Sequence, residues 1–422
     1  MLEIQSKDFE REVLQKERVV VDFYSTECPP CEALAPKFEE LSRLYGDKIH
    51  FVKIFRQGNR ELTSRLGVSS SPTVLFFKNG KQTGEVLTGA IKKSDISRHL
   101  DSLLSADEQL VVHARIKPVQ SSCDVLILGG GPAALTASIY LAQAKLKTVV
   151  VDTGLAGGQV SFTHKVSNYP GFPDPLAGYE LAHRMTEQAK KAGVVMRLAV
   201  DVTSVDLNNK QVIIDDNETL VAKRIIIATG ASPRPLNIPG EKELKGKGIS
   251  YCATCDAKYY QNKEVVVIGG GNSAVEESDF ISRFVASITM VHQFDALTAN
   301  KEAQEKCFAN EKIKILFSHE PRAFEKNGDK IITLVEHLPT GEKKQLVSDG
   351  VFVFAGMRPN LEMIKEKIAM DEWGYIKTDD DMHTSIAGVF AAGDVVSKKY
   401  RQITTAVADG TIAAMAISKE LQ

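Results

Sequence analysis

Long apolar runs are missing from this 422-residue chain, and nothing in it approaches the length of a membrane-spanning helix. Charge of one sign is missing too. The 52 Lys and Arg residues against 54 Asp and Glu leave a formal charge of −2, which gives no electrostatic footprint for nucleic acid or a membrane surface. Met1–Gln15 is charged and lacks the apolar stretch of a secretory signal, so a cytosolic (cytoplasmic) protein is expected. Cysteine is sparse, yet four of the six residues form two pairs of identical spacing, Cys28-Pro29-Pro30-Cys31 and Cys252-Ala253-Thr254-Cys255. That is a poor framework for a secreted fold and suits catalytic thiols in a reducing compartment. The pairs are also too far apart in the chain for a zinc ribbon, and no metal site is expected. A hydrophobic content of 43% is enough for two or three domains, each with its own core.

Two residues between cysteines let a disulfide open and close across the first turn of a helix, where the positive helix end favours the attacking thiolate. The surroundings of the first pair fit that picture. Arg18–Tyr24 (RVVVDFY) reads as a strand, and Glu32–Tyr45 carries Leu34, Phe38, Leu41 and Leu44 at helical spacing. A run at Ile49–Phe55 and a helical patch near Glu61–Leu66 follow. Thr73–Phe77, the turn Asn79-Gly80 and Glu85–Thr88 read as a hairpin, and Lys93–Leu104 as a closing helix. Residues 105–120 lose clear periodicity and contain Pro118, which reads as a linker; roughly 15 extended residues would span about 50 Å.

The motifs VDFYSTECPPC and SPTVLFFKNG make residues 1–104 resemble thioredoxin over the whole unit. The resemblance implies that Cys28 is the exposed nucleophile and Cys31 the buried resolving thiol. It implies that Asp22 shuttles protons, that Lys53 is its neighbour, and that Ser71-Pro72 is a cis bond shaping the substrate groove. An acid within an apolar run supports the relay role for Asp22. Glu27 and Pro29 depart from the family's usual tryptophan and glycine, and a carboxylate beside Cys28 disfavours its thiolate.

Cys123–Leu128 is a strand that feeds GGGPAA, residues Gly129, Gly130, Gly131, Pro132, Ala133 and Ala134, and then a helix over Leu135–Ala144. This is a dinucleotide loop: a tight turn, close backbone approach to pyrophosphate, and a helix amino end facing the phosphates. The next strand, Thr148–Val151, ends in Asp152, 23 positions after Gly129, where an acid binds adenosine ribose hydroxyls. The pattern repeats. Glu264–Ile268 precedes GGGNSA, with Gly269, Gly271, Asn272, Ser273 and Ala274, and a helix over Val275–Phe284. Two such folds imply two dinucleotides, as a flavin enzyme fed by a nicotinamide requires.

From about Ser122 onward the chain resembles the low-molecular-weight thioredoxin reductases, through GGGPAALTASIY, GGQVSFTHKVSNYPGFPD, IIIATGASPRP, YCATCD, GGGNSAVEE and GVFAAGDVVSKKYRQITTAVADG. The whole then resembles an α/β protein in which an N-terminal thioredoxin fold precedes two Rossmann-like dinucleotide-binding domains. The resemblance implies an FAD domain at 121–235 and 357–422, interrupted by an NAD(P) domain with the redox pair at 236–356. FAD is expected on Gly129–Ala134, Asp152, Gly158, Gln159, Asn168, Val202, Thr229 and Gly230, with Gly393-Asp394 at the ribityl chain and Arg401, Gln402 and Ile403 near the ring. Members of the family are homodimers.

By the family pattern Cys255 faces the flavin and Cys252 attacks the outside disulfide, with Asp256 exchanging protons with the thiols. One buried pair cannot touch flavin and partner together, so the nicotinamide domain is expected to rotate about hinges near Pro233–Pro239 and Gly356. NADPH-specific relatives carry arginines after the second strand of this domain. Here His292-Gln293-Phe294-Asp295-Ala296-Leu297-Thr298 has none, so NADH is expected over NADPH. His292 itself reads as a strand-end residue. The expected partners are disulfide-containing proteins reached through the thioredoxin unit. The rivals are a peroxiredoxin reductase similar to the alkyl hydroperoxide reductase flavoprotein, a ferredoxin-fed flavin reductase, and a non-enzymatic FAD redox sensor. Cys123 and Cys307 read as incidental thiols, and His99, His113 and His383 show no partner pattern.

Overall fold

The β-branched run at Arg18–Tyr24 forms the central strand of a five-stranded sheet in the computed structural model, which describes residues 1–163 and 166–421. The strands are β1 (Leu2–Ile4), β2 (Arg18–Tyr24), β3 (His50–Phe55), β4 (Thr73–Lys78) and β5 (Lys81–Thr88), in the order β1-β3-β2-β4-β5. Alternation along β2 separates two apolar clusters. Val20 packs with Leu34 and Phe38 of α1 (Pro29–Tyr45) and with Ile96 and Leu100 of α3 (Lys93–Leu103). Val19, Val21 and Phe23 pack on the other face with Leu62 of α2 (Arg60–Arg65). The hairpin turn falls on Asn79 and Gly80, both left-handed, as its sequence requires.

The stretch read as a linker is largely structured. Ser105 caps α4 (Ala106–His113) in a reciprocal box with Glu108, whose carboxylate also takes two 2.8 Å bonds from Arg18. Val112 is fully buried in the α1/α3 cluster, and Arg115 forms a forked pair with Asp47 at 2.6 and 2.8 Å. The helix therefore belongs to the thioredoxin fold, and the next strand already begins at Val119.

That strand, β6 (Val119–Leu128), runs into α5 (Pro132–Gln143) and β7 (Thr148–Asp152), followed by α6 (Gly178–Lys191), β8 (Val195–Leu198), β9 (Val202–Asp206), β10 (Gln211–Ile214) and β11 (Glu218–Ile227). The chain then makes β12 (Ala231–Pro233), α7 (Glu241–Leu244), β13 (Ile249–Ser250), α8 (Ala253–Asp256), β14 (Glu264–Ile268), α9 (Asn272–Ser282), β15 (Ser287–Val291), α10 (Lys301–Ala309) and β16 (Ile313–Leu316). An antiparallel meander follows, β17 (His319–Asn327), β18 (Lys330–His337) and β19 (Lys343–Ser348), then β20 (Gly350–Val353), β21 (Met357–Pro359), β22 (Val389–Ala391) and α11 (Ile403–Leu421). The first Rossmann-like sheet runs β8-β7-β6-β11-β10-β9 with β22 also on β11, and the second runs β13-β20-β14-β15-β16, all parallel.

Contacts divide the chain into two units. One holds the thioredoxin fold and the first Rossmann fold. The other holds Ala231–Pro359 together with Ser161–Tyr179, a segment expected to stay with the first fold. Its place is explained locally by the Thr254 hydroxyl, which donates to the Phe162 carbonyl. Among the described residues no helix is long and apolar enough to cross a membrane.

Candidate active site

Cys28 is the N-cap of α1. Its sulfur accepts the Cys31 N–H at 3.2 Å, and Pro29 occupies the first helical position, where a missing N–H costs nothing. Cys28 and Cys31 are joined as a disulfide. The Cys28 sulfur lies 3.5 Å from the Ser71 carbonyl oxygen, and the Ser71-Pro72 bond is cis. The expected contrast of an exposed Cys28 with a buried Cys31 is absent: they are 7% and 9% exposed. The cause is that Cys28 is folded inward between the helix start and the Ser71 carbonyl. Arg56, which sequence reasoning missed, holds this wall through 2.8 Å to the Ser71 hydroxyl and 3.2 Å to the Ser69 carbonyl. No local pattern announces that role, because it depends on two loops meeting.

Asp22 sits on the β2 face that Val20 turns toward α1, directly opposite Lys53 in the β2–β3 register. It is buried, and its Oδ1 has no hydrogen-bond partner. Burial pushes its carboxyl up to about 7, against the pull of Lys53. An acid that changes protonation near neutrality is suited to proton exchange. Lys53 lies 4.6 Å over the Tyr24 ring. Glu27 stands exposed before Cys28 in a left-handed conformation.

The second disulfide, Cys252–Cys255, repeats the N-cap geometry on the single turn of α8, with the Cys255 N–H 3.2 Å from the Cys252 sulfur. Ser250 Oγ receives the Cys252 N–H at 3.1 Å. The Thr254 hydroxyl is 3.3 Å from the Cys252 sulfur. Cys255 is exposed and Cys252 half-buried. Asp256 ends the turn, its N–H reaching the Cys252 carbonyl at 3.3 Å; burial, and then the Asp256 charge, push the Tyr260 phenol up.

In the first dinucleotide loop a side chain at Gly129, where φ is +104°, would lie 2.3 Å from the Ala228 carbonyl oxygen, so the turn admits only glycine. Asp152, expected at the ribose hydroxyls, is found fastening the loop: its two oxygens accept the Gly130 N–H at 2.6 Å and the Gly154 N–H at 2.7 Å. Each oxygen retains a lone pair for a ligand hydroxyl. The loop fits a flavin dinucleotide on a separate ground. Thr229 Oγ1 and Asp394 Oδ1 are buried without a hydrogen-bond partner, and desolvation pushes the Asp394 carboxyl up. Arg401, 3.7 Å over the Tyr375 ring, is tied to the carbonyls of Asp394 and Val396, and Gln402 N–H bonds Thr405 just before Ile403 opens α11. Gly158 and Gln159 open a 3-10 turn, and Val202 opens β9. Asn168 lies in the segment that groups with the other unit.

The second loop is built from its neighbours. A side chain at Gly270 would meet the His292 ring at 2.4 Å, and buried His292 bonds the Ala296 carbonyl at 3.1 Å, with burial lowering its pKa. His292 is thus a support under the glycine loop. Thr298 N–H reaches the Gly270 carbonyl at 2.9 Å, and Asn272 Oδ1 accepts the Asn300 N–H at 2.7 Å. The segment is fastened by neutral groups, and none of residues 292–298 is an arginine. Gly269, Gly271, Ser273 and Ala274 complete the turn into α9. Cys123 and Cys307 are buried thiols, and burial pushes both up, Cys123 to about 11.

Residues 123–410 match the family described as pyridine nucleotide-disulphide oxidoreductase, and residues 1–102 match thioredoxin. A thioredoxin reductase of Peptoclostridium acidaminophilum is 43% identical over 308 residues, 71% of this chain and 97% of that protein. One from Bacillus subtilis (strain 168) is 40% identical over 304 residues, 71% of this chain and 96% of that protein. The solved thioredoxin reductase of Lactococcus lactis in its FR conformation is 41% identical, with a TM-score of 0.67 over 70% of this chain and 98% of that one. The chain therefore belongs to the thioredoxin reductases of the pyridine nucleotide-disulphide oxidoreductase family, with a thioredoxin domain ahead of the reductase, and is a flavin disulfide oxidoreductase.

Proposed function

We propose that the chain carries its own electron acceptor: two electrons pass from reduced nicotinamide by way of FAD to Cys252–Cys255, then to Cys28–Cys31, and finally to disulfides of other proteins. The observation that carries this reading is the pair of Cys-x-x-Cys disulfides built alike at two helix starts, one in a thioredoxin fold and one just before the second dinucleotide loop. FAD would be held by Gly129–Ala134, Asp152, Gly158, Gln159, Asn168, Val202, Thr229, Gly230, Gly393, Asp394 and Arg401-Gln402-Ile403. In the exchange the Cys252 thiolate attacks the Cys28 sulfur, and Cys31 leaves as thiolate. Cys255 then attacks Cys252, restoring that disulfide and freeing Cys28. Asp256 and Asp22 exchange the protons that the four sulfurs gain and lose.

The reading is tested by anaerobic reduction with NADH, NADPH or reduced ferredoxin followed by alkylation of Cys28. Wild type should label, and Cys252→Ser should not; equal labelling in both sinks the relay.

NADH is the favoured donor in this reading, because residues 292–298 offer no cation to a 2′-phosphate and Asp295 would repel it. Stopped-flow reduction of the flavin should show NADH ahead of NADPH. Asp295→Arg should move the ratio of the two kcat/KM values about tenfold toward NADPH, as one added charge-assisted bond is worth ~1.4 kcal/mol or more. A homodimer in a reducing cytosol completes the proposal. It is supported by the family likeness and by the confinement of reactive cysteines to the two redox pairs.

A further inference from the structure

Within the first unit, the thioredoxin module meets the first Rossmann fold along a polar seam. Lys37, six residues past Cys31 on α1, is only 7% exposed. Its Nζ donates to the Ala199 carbonyl at 2.7 Å and to the module's own Ile91 carbonyl at 3.1 Å. Lys92 pairs with Asp201 at 2.9 Å, and the Ser94 hydroxyl takes the other Asp201 oxygen. Lys93, buried, reaches Glu40 and, at 3.4 Å, the side-chain oxygen of Asn217. From the opposite side Lys190 of α6 pairs with Glu32, the residue after Cys31, at 2.6 Å.

The Rossmann side of this seam is shaped in advance. Ala199, Asp215 and Asp216 all take left-handed conformations, uncommon for residues with a side chain, and Asp215 Oδ1 receives the Asp201 N–H at 2.9 Å. The edge presents the Ala199 carbonyl to Lys37 and the Asp201 carboxylate to Lys92 and Ser94. Removing an ammonium from water is costly unless it is bonded, and two carbonyls with Asp201 and Asp215 nearby are what Lys37 finds there.

The seam is also separable. Among the described residues the module's two apolar clusters and the cluster of the first Rossmann sheet share no residue, and the contacts named across the seam are hydrogen bonds and ion pairs. Contacts of that kind within a chain are reversible by default. With α4 and Arg115 fixed to the module, only Ile116–Pro118 is left as tether, about 10 Å when extended. So short a link keeps the module at roughly millimolar effective concentration, and a weak seam is enough to hold it.

We propose that Ala199–Asp201, Asp215–Asn217 and Lys190 form a docking site on the first Rossmann fold for the chain's own thioredoxin module, recognised through Lys37 and the Lys92–Asp201 pair and released reversibly. This goes beyond the electron relay and does not depend on it.

The test is small-angle scattering of the full chain. Asp201→Lys should increase the radius of gyration, and Lys92→Asp combined with Asp201→Lys should bring it back. Raising salt toward 1 M, where the screening length falls to ~3 Å, should expand the parent and leave Asp201→Lys unchanged. Failure of charge reversal and salt alike to alter the parent's scattering overturns the proposal. Should Asp201→Lys lose its folded circular dichroism, the parent's salt titration decides alone: expansion supports the dock and constancy refutes it.

Discussion

The two disulfides share a local design and differ in everything around it. Each has its first cysteine as N-cap, with the sulfur 3.2 Å from the N–H three residues on. Around Cys28–Cys31 stand a helix of 17 residues, a buried acid and a wall of backbone, and both cysteines are hidden. Around Cys252–Cys255 there is a helix of four residues, a hydroxyl against the first sulfur, and an exposed second cysteine. The motif supplies a reducible bond. Its setting decides how much of it is covered: both cysteines of the first pair are buried, whereas in the second Cys255 is exposed and Cys252 half-buried.

The largest effect expected from this contrast is an asymmetry of knockouts. Cys252→Ser should cut reduction of Cys28–Cys31 by about a thousandfold or more, whereas Cys28→Ser should leave reduction of Cys252–Cys255 by nicotinamide intact. Both are read by quantifying thiols after a single anaerobic turnover, and a symmetrical loss would erase the proposed order.

Next is Asp22→Asn, which should slow the thioredoxin step roughly a hundredfold. Its pH signature is distinct. Burial holds the Asp22 carboxyl at about 7, so between about 4 and 7 the folded chain keeps a proton that the unfolded chain releases. The acid's contribution to stability therefore falls as pH rises through that window, by no more than about 4 kcal/mol in all. Denaturant unfolding should show a flatter dependence over that range in Asp22→Asn than in the parent; parallel curves would refute the buried titration.

The smallest effect is at Thr254. Thr254→Val removes the hydroxyl beside the Cys252 sulfur and its bond to the Phe162 carbonyl, and should slow exchange only a few-fold, in keeping with the loss of about one net hydrogen bond. A hundredfold loss would make the second site as dependent on its surroundings as the first.

Much of this architecture is legible in the chain itself, because strands, glycine loops and cysteine pairs are local signals. β2, the Asn79-Gly80 hairpin and both glycine loops stand where alternation and turn chemistry put them. The helix α4 was legible and passed over: Ser105 and Glu108 spell a capping box, but only two apolar turns follow, and the irregular composition hid it. Other features depend on distant partners. His383 lies between Asp379 at 2.9 Å and Glu420 at 2.8 Å, and no spacing rule joins a loop histidine to a helix 37 residues away. Asp152 as a clamp on Gly130, and Ser161–Tyr179 as part of the second unit, likewise arise only when the chain closes on itself.

The capping box at Ser105 also fixes where this protein can be divided. A cut after Leu104 would discard α4 and strip Val112 from the thioredoxin core, leaving Leu103 and Leu104 uncovered and Arg18 without Glu108. A cut within Ile116–Pro118 passes through no helix or strand and leaves Arg115 on Asp47. The piece that could be lifted out as a free-standing carrier, or exchanged for another, is therefore some ten residues longer than the thioredoxin motif alone would suggest.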